Sequence, residues 1–245
     1  MIEIIKTTAP PELIELQKEA VQENLSANKA FAKLSGKKTH DLRVQLINQL
    51  MQEQGHLCAY CMRRIPDTRD VEQGVSDPLE VKIEHWNARS SSTCGAYGAL
   101  EYTNMLAVCS GNQNGPSHKK SKLTCDAKRG NRTLTVNPLD SSTLVTISYK
   151  EDGTIQSSDK VIDEDLNVGL NLNCMKDAAL LPLDRKKALD AIQEEVMDEV
   201  AKASQDDRPK VLKAICNHLY LKLSAYIDPK PPYIGIMLWW LKEHC

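Results

Sequence analysis

Cys58-Ala59-Tyr60-Cys61 is the stretch of the chain that decides its fold. A Cys-x-x-Cys turn presents two thiolates to one ion, and Zn²⁺ prefers four such ligands in a tetrahedron. Cys109 and Cys125 supply a second pair, although fifteen residues separate them instead of the usual two or so. Either the intervening segment loops out, or Cys94 or His118 is the fourth ligand. The sequence thus predicts a structural zinc site whose ligands are Cys58, Cys61, Cys109 and Cys125.

The composition is that of an ordinary water-soluble protein of 245 residues, with 41% hydrophobic and 26% charged residues. Its net charge of −2 means that any attraction to nucleic acid must be local. No apolar run approaches the roughly 20 residues that span a bilayer, and the N-terminus lacks the apolar core of a signal peptide. We therefore expect a cytoplasmic protein without a membrane partner. Its clustered cysteines should be metal ligands rather than disulfides.

Hydrophobic spacing predicts an α+β fold in three parts. Residues 1–39 should form an extended start and a helix, and residues 40–135 the zinc-stabilised core. Residues 136–245 should form a hairpin and a mainly helical region that docks a partner. The possible anchors, for which a plain core role is an equal alternative, are Leu238, Trp239, Trp240 and Leu241. The predicted elements are helices over 11–32, 40–54, 183–204, 208–227 and 234–243, a strand ending at Glu84-His85, and hairpin strands over 143–149 and 154–156.

The dipeptide Glu84-His85 ends the predicted strand and carries the first candidate catalytic groups. A carboxylate can bind a divalent cation while a neighbouring imidazole activates water. Alternate strand positions point to opposite faces, so a bulge or a sharp bend is needed to bring both side chains to one metal. A surface pair without function is the alternative, and the neighbouring motifs weigh against it.

Asn104 precedes an apolar run that leads into Cys109. Asn commonly forms turns by bonding its own backbone. In the functional alternative, its side-chain oxygen accepts a hydrogen bond from the second ring nitrogen of His85. This bond would hold the imidazole as a neutral base.

The segment from Ser117 to Arg132 contains the remaining candidate site residues. If Cys125 binds zinc in the first turn of a helix, Asp126 can face the reaction centre beside it. The segment also contains six basic residues against one acid. Such a run is ordinarily a solvated face, but beside a metal site it would contact phosphates. The six are Lys119, Lys120, Lys122, Lys128, Arg129 and Arg132.

These residues together resemble the HNH endonuclease motif. That motif has a Cys-x-x-Cys knuckle, an acidic-His pair ending the first strand, an Asn before an apolar run, and then cysteines followed by Asn and a basic-Gly pair. Residues 125–131, Cys-Asp-Ala-Lys-Arg-Gly-Asn, stand where the family usually has Cys-Asn-x-x-Lys-Gly-Asn. The resemblance implies a zinc-stabilised, treble-clef-like ββα-metal core with flanking helices. It also implies an endonuclease that hydrolyses phosphodiester bonds with Mg²⁺ or Mn²⁺.

The resemblance further implies a role for each candidate residue. His85 would be the general base, and Asn104 would orient its ring. Glu84 and Asp126 would hold the catalytic cation, because Asp in place of Asn at 126 still offers an oxygen ligand. The four cysteines would hold the structural zinc, with the long insert before Cys125 leaving the fourth ligand open.

The similarity extends over nearly the whole chain, through Ile5-Lys6, Pro10-Pro11, Gly153, the Leu-Asn-Leu-Asn stretch at 170–173 before a helix with Arg185, and Pro-Tyr-Ile-Gly at 232–235. These stretches resemble the HNH subunit of Septu-type and retron-associated anti-phage defence systems. That family implies an ATPase partner of the ABC/SMC-like type. In retron versions a reverse transcriptase and its DNA–RNA product also join.

Two other classes of function remain open. A catalytically silent nucleic-acid-binding module would need zinc and the basic residues, but not Glu84, His85 or Asp126. A structural adaptor would depend on the helical C-terminal half alone. The presence of all three side chains favours an enzyme, with DNA and RNA equally open as the nucleic-acid substrate.

Overall fold

The computed structural model describes residues 1–65, 81–113, 119–176, 179–225 and 227–245, with backbone alone at Lys120 and Ala179. It combines helices with short antiparallel strand pairs. The helices are α1 Pro11–Gln22, α2 Ala27–Ala32, α3 His40–Glu53, α4 Gly95–Leu100, α5 Cys125–Arg129, α6 Lys160–Glu164, α7 Leu181–Ala201, α8 Arg208–Ser224 and α9 Ile234–His244. The strands are β1 Lys82–His85, β2 Met105–Val108, β3 Ile147–Tyr149, β4 Ile155–Ser157, β5 Met175–Lys176 and β6 Ala179–Leu180.

The N-terminal helix predicted over residues 11–32 is two helices instead of one. The chain breaks at Asn24, whose φ of 52° is left-handed and cannot continue a right-handed helix. The next helix, α3, follows the prediction closely, because its apolar spacing buries Leu46, Ile47 and Leu50. Gly55 ends this segment with a φ of +60°, as predicted.

Strands β1 and β2 form an antiparallel pair in the middle of the chain. All four residues of β2 are buried, and α3 packs against this strand. The buried side chain of Gln54, just after α3, accepts from the Ala107 N–H and donates to the Ala107 carbonyl, both at 2.8 Å. These bonds satisfy polar backbone groups that would otherwise be costly to bury.

The C-terminal region contains the predicted hairpin and three helices. Strands β3 and β4 pair on either side of a turn that includes Gly153, and α7, α8 and α9 pack against one another. Trp240 and Leu241 are buried in the core, which agrees with the core role given above as the alternative to partner docking for these two residues. Trp239 is half-buried, with its ring centroid 6.1 Å from that of Tyr149.

Contacts cross the boundary at residues 135 and 136 of the predicted three-part division, which stays a prediction. The Tyr233 N–H donates to the Met62 carbonyl at 2.9 Å, beside the Cys-x-x-Cys turn. The Cys125 N–H donates to the Leu170 carbonyl at the same distance. The C-terminal region therefore supports both the turn and the start of α5. Across the described ranges, no helix has the length and hydrophobicity needed to cross a bilayer.

We predict that Gly153→Ala lowers the free energy of unfolding by about 2–4 kcal/mol. Gly153 has a φ of +84°, and a Cβ there would overlap the Pro182 carbonyl oxygen. The matched control is Gly95→Ala, where φ is also positive but no described atom lies within 4 Å of the new Cβ. The control should cost only about 1 kcal/mol. Urea titrations of both variants measure this, and equal losses would contradict the overlap at Gly153.

Candidate metal centre and catalytic site

The four predicted zinc ligands lie together in the structure. The sulfurs of Cys58, Cys61, Cys109 and Cys125 are all within 4.8 Å of one another, and all four residues are buried. The Sγ–Sγ distance is 3.9 Å for Cys58–Cys125 and for Cys61–Cys109, and 3.7 Å for Cys109–Cys125. Four sulfurs about 2.3 Å from one Zn²⁺ in a tetrahedron stand roughly 3.8 Å apart, so this cluster could hold zinc. Cys94 lies outside the cluster, and His118 lies outside the described residues.

Three separate segments bring the sulfurs together. The Cys-x-x-Cys turn closes through a bond from the Met62 N–H to the Cys58 carbonyl at 2.9 Å. Cys109 directly follows β2, and Cys125 is the first residue of α5, with a left-handed φ of 54°. The cluster thus ties the turn to the strand pair and to α5.

Two buried arginines lie close enough to the cluster to interact electrostatically with its thiols. Burial alone would lower the pKa of Arg63, but the charges of Cys61, Tyr233 and Cys109 outweigh it and raise that pKa. Burial lowers the pKa of Arg185, while the charges of Cys61 and Cys125 oppose the decrease. Four thiolates around one Zn²⁺ carry a net charge of −2, which two nearby guanidinium groups would balance.

Arg185 has no carboxylate partner among the described residues and is fully buried. It donates from Nε to the Gly153 carbonyl at 2.6 Å and from Nη2 to the Leu172 carbonyl at 2.8 Å. A buried cation is costly unless it is bonded and compensated. With zinc bound, the thiolates of the cysteine cluster would add negative charge near this position.

The Glu84 carboxylate is buried in an ion pair with Arg129. Tyr60 donates to the same oxygen, Oε1, at 3.4 Å. Asp126 on α5 lies within hydrogen-bonding range of Glu84. Burial and then the Asp126 charge raise the pKa of Glu84 to about 8, against the opposing effect of Arg129. Two carboxylates crowded in this way form an oxygen-rich donor set.

The His85 imidazole is 3% exposed and contacts the backbone of α4. Its Nε2 lies 2.9 Å from the Ala99 carbonyl oxygen. Because a carbonyl only accepts, Nε2 carries the proton and Nδ1 keeps its lone pair in the neutral ring. Burial, as the largest cause, lowers the pKa of His85 to about 4, so the ring is neutral at pH 7. The edge-on ring of Phe31 lies 4.7 Å away, centroid to centroid.

Glu84 and His85 contact different neighbours, as alternate strand positions require. The register from Lys82↔Val108 to His85↔Met105 is uninterrupted, so the expected bulge is absent from this strand pair. Burial has the largest effect on the pKa of each group, and the Asp126 charge acts in the direction of a higher pKa on both.

Asn104 does not bond the His85 ring, which corrects the predicted contact. Its Oδ1 accepts from the Asn87 N–H at 2.7 Å, and its Nδ2 donates to the Gly98 carbonyl at 2.9 Å. The amide thereby fastens both ends of the segment that runs from the end of β1 into α4. Asn104 acts on His85 indirectly. It holds the Gly98 carbonyl, and the carbonyl of the next residue, Ala99, contacts the His85 ring.

The predicted phosphate-binding residues differ in burial and in their partners. Arg129 is buried, and besides Glu84 it donates to the His85 carbonyl at 2.9 Å, so its placement on a basic surface was wrong. Arg132 pairs with Glu164 at 2.8 Å. Lys119 is exposed, while Lys122 and Lys128 are half-buried. The side chain of Lys120 is outside the described set.

Several contributors to the site have no signal in the sequence. The Ala99 carbonyl is a backbone group, and any residue could supply it. Phe31 and Arg185 lie far along the chain from the motif. Tyr60 is inside the Cys-x-x-Cys turn, where position alone could have suggested a role.

We predict that the purified protein contains about one zinc per chain and that Cys125→Ser loses it. A serine hydroxyl is a poor replacement for a thiolate ligand, and the folding free energy that structural zinc supplies would be lost with the metal. Elemental analysis and thermal melting measure both effects.

Cys94→Ser is the matched control, because Cys94 is also buried but lies outside the cluster. It should keep its zinc. Loss of zinc from Cys94→Ser and its retention in Cys125→Ser would reverse the ligand assignment.

Comparison with known proteins gives one partial match. No protein-family model matches the chain. The chain is 30% identical over 86 residues to a protein of Escherichia coli named "Retron Ec83 putative HNH endonuclease". The match covers 34% of this chain and 30% of that protein, so the chain spans less than a third of the relative's length. This similarity supports an HNH-like family.

Proposed function

We propose that this protein is a metal-dependent endonuclease of the HNH type that hydrolyses phosphodiester bonds of nucleic acid. One observation carries the proposal. Glu84 and His85 end β1 of an antiparallel strand pair, and α5 follows with Asp126 next to Cys125 of the four-cysteine cluster and beside the Glu84 carboxylate. This order of strand, strand and helix is the one that a ββα-metal core would have. The partial similarity to a retron protein supports the same family.

His85 is the general base in this proposal. Its Nε2–H is directed to the Ala99 carbonyl, which leaves Nδ1 to take a proton from water. Burial lowers its pKa, so the ring does not need to lose a proton before it acts near pH 7. The same burial restricts the approach of bulk water to the ring.

Glu84 and Asp126 are the residues that would hold Mg²⁺ or Mn²⁺. Arg129 and Tyr60 both bond Oε1 of Glu84, so neither of these contacts uses Oε2. Burial is the largest cause of the raised pKa of Glu84, and the Asp126 charge adds to it; a bound divalent cation would offset the repulsion between the two carboxylates. Carboxylate oxygens also suit these ions. When bound, such a cation supplies charge stabilisation at the phosphoryl group and the leaving oxygen.

We further propose that the nuclease is the effector of an anti-phage defence complex. Support comes from the retron origin named for the similar protein and from the resemblance to Septu-type and retron HNH subunits. An ATPase of the ABC/SMC-like type would be its partner, and in a retron setting a reverse transcriptase with its DNA–RNA product. The near-neutral net charge of −2 favours delivery of the substrate by a partner.

We predict that His85→Ala lowers the rate of cleavage by about 10²–10⁴-fold, because general-base catalysis contributes on that scale. The assay uses DNA and RNA substrates with Mg²⁺ or Mn²⁺, with and without the ATPase partner. His218→Ala is the control, since this histidine is exposed on α8. Cleavage by His85→Ala at the parent rate would remove His85 from the mechanism. Zinc binding without any cleavage would favour the silent binding module.

We predict a smaller effect for Asn104→Ala, about a tenfold loss of kcat. The substitution releases the Gly98 carbonyl and the Asn87 N–H, so the Ala99 carbonyl is held less firmly against His85. A positioning residue should change kcat and leave zinc content unaltered. Comparison of single-turnover rates and zinc content for Asn104→Ala and Asn104→Asp measures this. A loss as large as that of His85→Ala would instead indicate direct participation.

A further inference from the structure

Phe31 lies between the candidate base and a nearby arginine. Its ring is edge-on to His85, with an interplanar angle of 82°. The guanidinium carbon of Arg89 lies over the same phenylalanine, 4.4 Å from the ring centroid. Phe31 is the only phenylalanine in the chain. Stacking on an aromatic ring fixes the plane of a guanidinium group and leaves its N–H edges available.

Arg89 differs from the other arginine of the site in what it bonds. Arg129 donates to Glu84, to Tyr60 and to the backbone carbonyls of His85 and Trp86, so its donors are used within the protein. Arg89 has its cation–π contact, and no carboxylate in the described ranges forms an ion pair with it. The side chain is half-buried. Because Arg89 and His85 both contact the Phe31 ring, the guanidinium lies near the base.

The proposed reaction creates a need for such a cation. Attack of hydroxide on a phosphodiester places a second negative charge on the phosphoryl oxygens, and fixed donors aimed at that charge accelerate the step. Arg129 is already committed to Glu84. A guanidinium group binds two phosphate oxygens at once and stays charged at every working pH.

We propose, resting on the nuclease function above, that Arg89 is a catalytic residue whose guanidinium binds the scissile phosphate of the nucleic acid. Phe31 is the positioning residue that holds the guanidinium beside His85. Arg89 thus replaces Arg129 as the arginine of the site that contacts the substrate.

The first test measures binding in the full-length His85→Ala protein. A short fluorescent oligonucleotide is titrated with Ca²⁺ in place of Mg²⁺, once as DNA and once as RNA. Adding Arg89→Gln should weaken binding about tenfold through the lost charged bonds. With Arg89→Lys, the affinity should lie between that of the His85→Ala protein and that of its Arg89→Gln derivative. Lysine keeps the charge but loses the planar, forked guanidinium. Arg208→Gln, an exposed position at the start of α8, should have no effect.

The second test measures cleavage with His85 intact. Arg89→Gln should lower kcat on the order of 10²-fold, as removal of one transition-state donor does in other enzymes. Zinc content and melting temperature should stay at parent values, and Arg89→Lys should recover part of the rate. A merely structural role would instead lower the melting temperature of Arg89→Gln and give no partial rescue by lysine.

The outcomes separate the two proposals. Equal binding and equal kcat for Arg89→Gln and the parent would overturn the role of Arg89 while the nuclease function stands. If the parent protein, with its ATPase partner present, neither binds nor cleaves DNA or RNA, the nuclease function falls and the role of Arg89 falls with it.

Discussion

The convergence of four buried sulfurs is the constraint on which the rest of the site depends. Strands β1 and β2 have four residues each and α5 has five, so this unit cannot bury enough apolar surface to hold itself together. The cluster joins the Cys-x-x-Cys turn, the end of β2 and the start of α5. Asp126 follows Cys125 directly, and its position opposite Glu84 is therefore set by the same cluster. A bound zinc would fix the candidate catalytic groups without touching the substrate.

Buried arginines connect the sulfur cluster to the C-terminal region. Arg185 on α7 is fully buried, and Arg63 is nearly so. The cluster thiols are among the groups whose charges act on both arginines, together with Tyr233 and, for Arg63, the Asp184 carboxylate at 3.9 Å. Buried guanidinium groups and a buried thiolate cluster would stabilise one another. The backbone bonds from Tyr233 and to Leu170 add to this link. Residues beyond 136 thus contribute to the core as well as to any surface for a partner.

Local patterns in the sequence predicted a large part of the fold. Helical spacing and Gly55 defined α3, turn residues defined the hairpin at Gly153, and cysteine spacing identified the sulfur cluster. These features depend on neighbours in the chain. The burial of Arg129 could not be read in the same way, because a Lys-Arg-Gly run resembles a solvated surface until Glu84 is placed beside it. The break at Asn24 was likewise missed, since apolar residues continue across it.

The surroundings of His85, the candidate base, show why a sequence motif alone does not define the mechanism. A motif names side chains, but the group that orients His85 is the backbone carbonyl of Ala99. Its position depends on α4, which Asn104 holds through the Gly98 carbonyl and which packs against α1 and α2. The N-terminal helices therefore support the base on two sides, through α4 and through the ring of Phe31. A relative that keeps every motif residue but lacks these helices would still be expected to lose activity. The histidine would be present, but nothing would hold its imidazole in the orientation seen here.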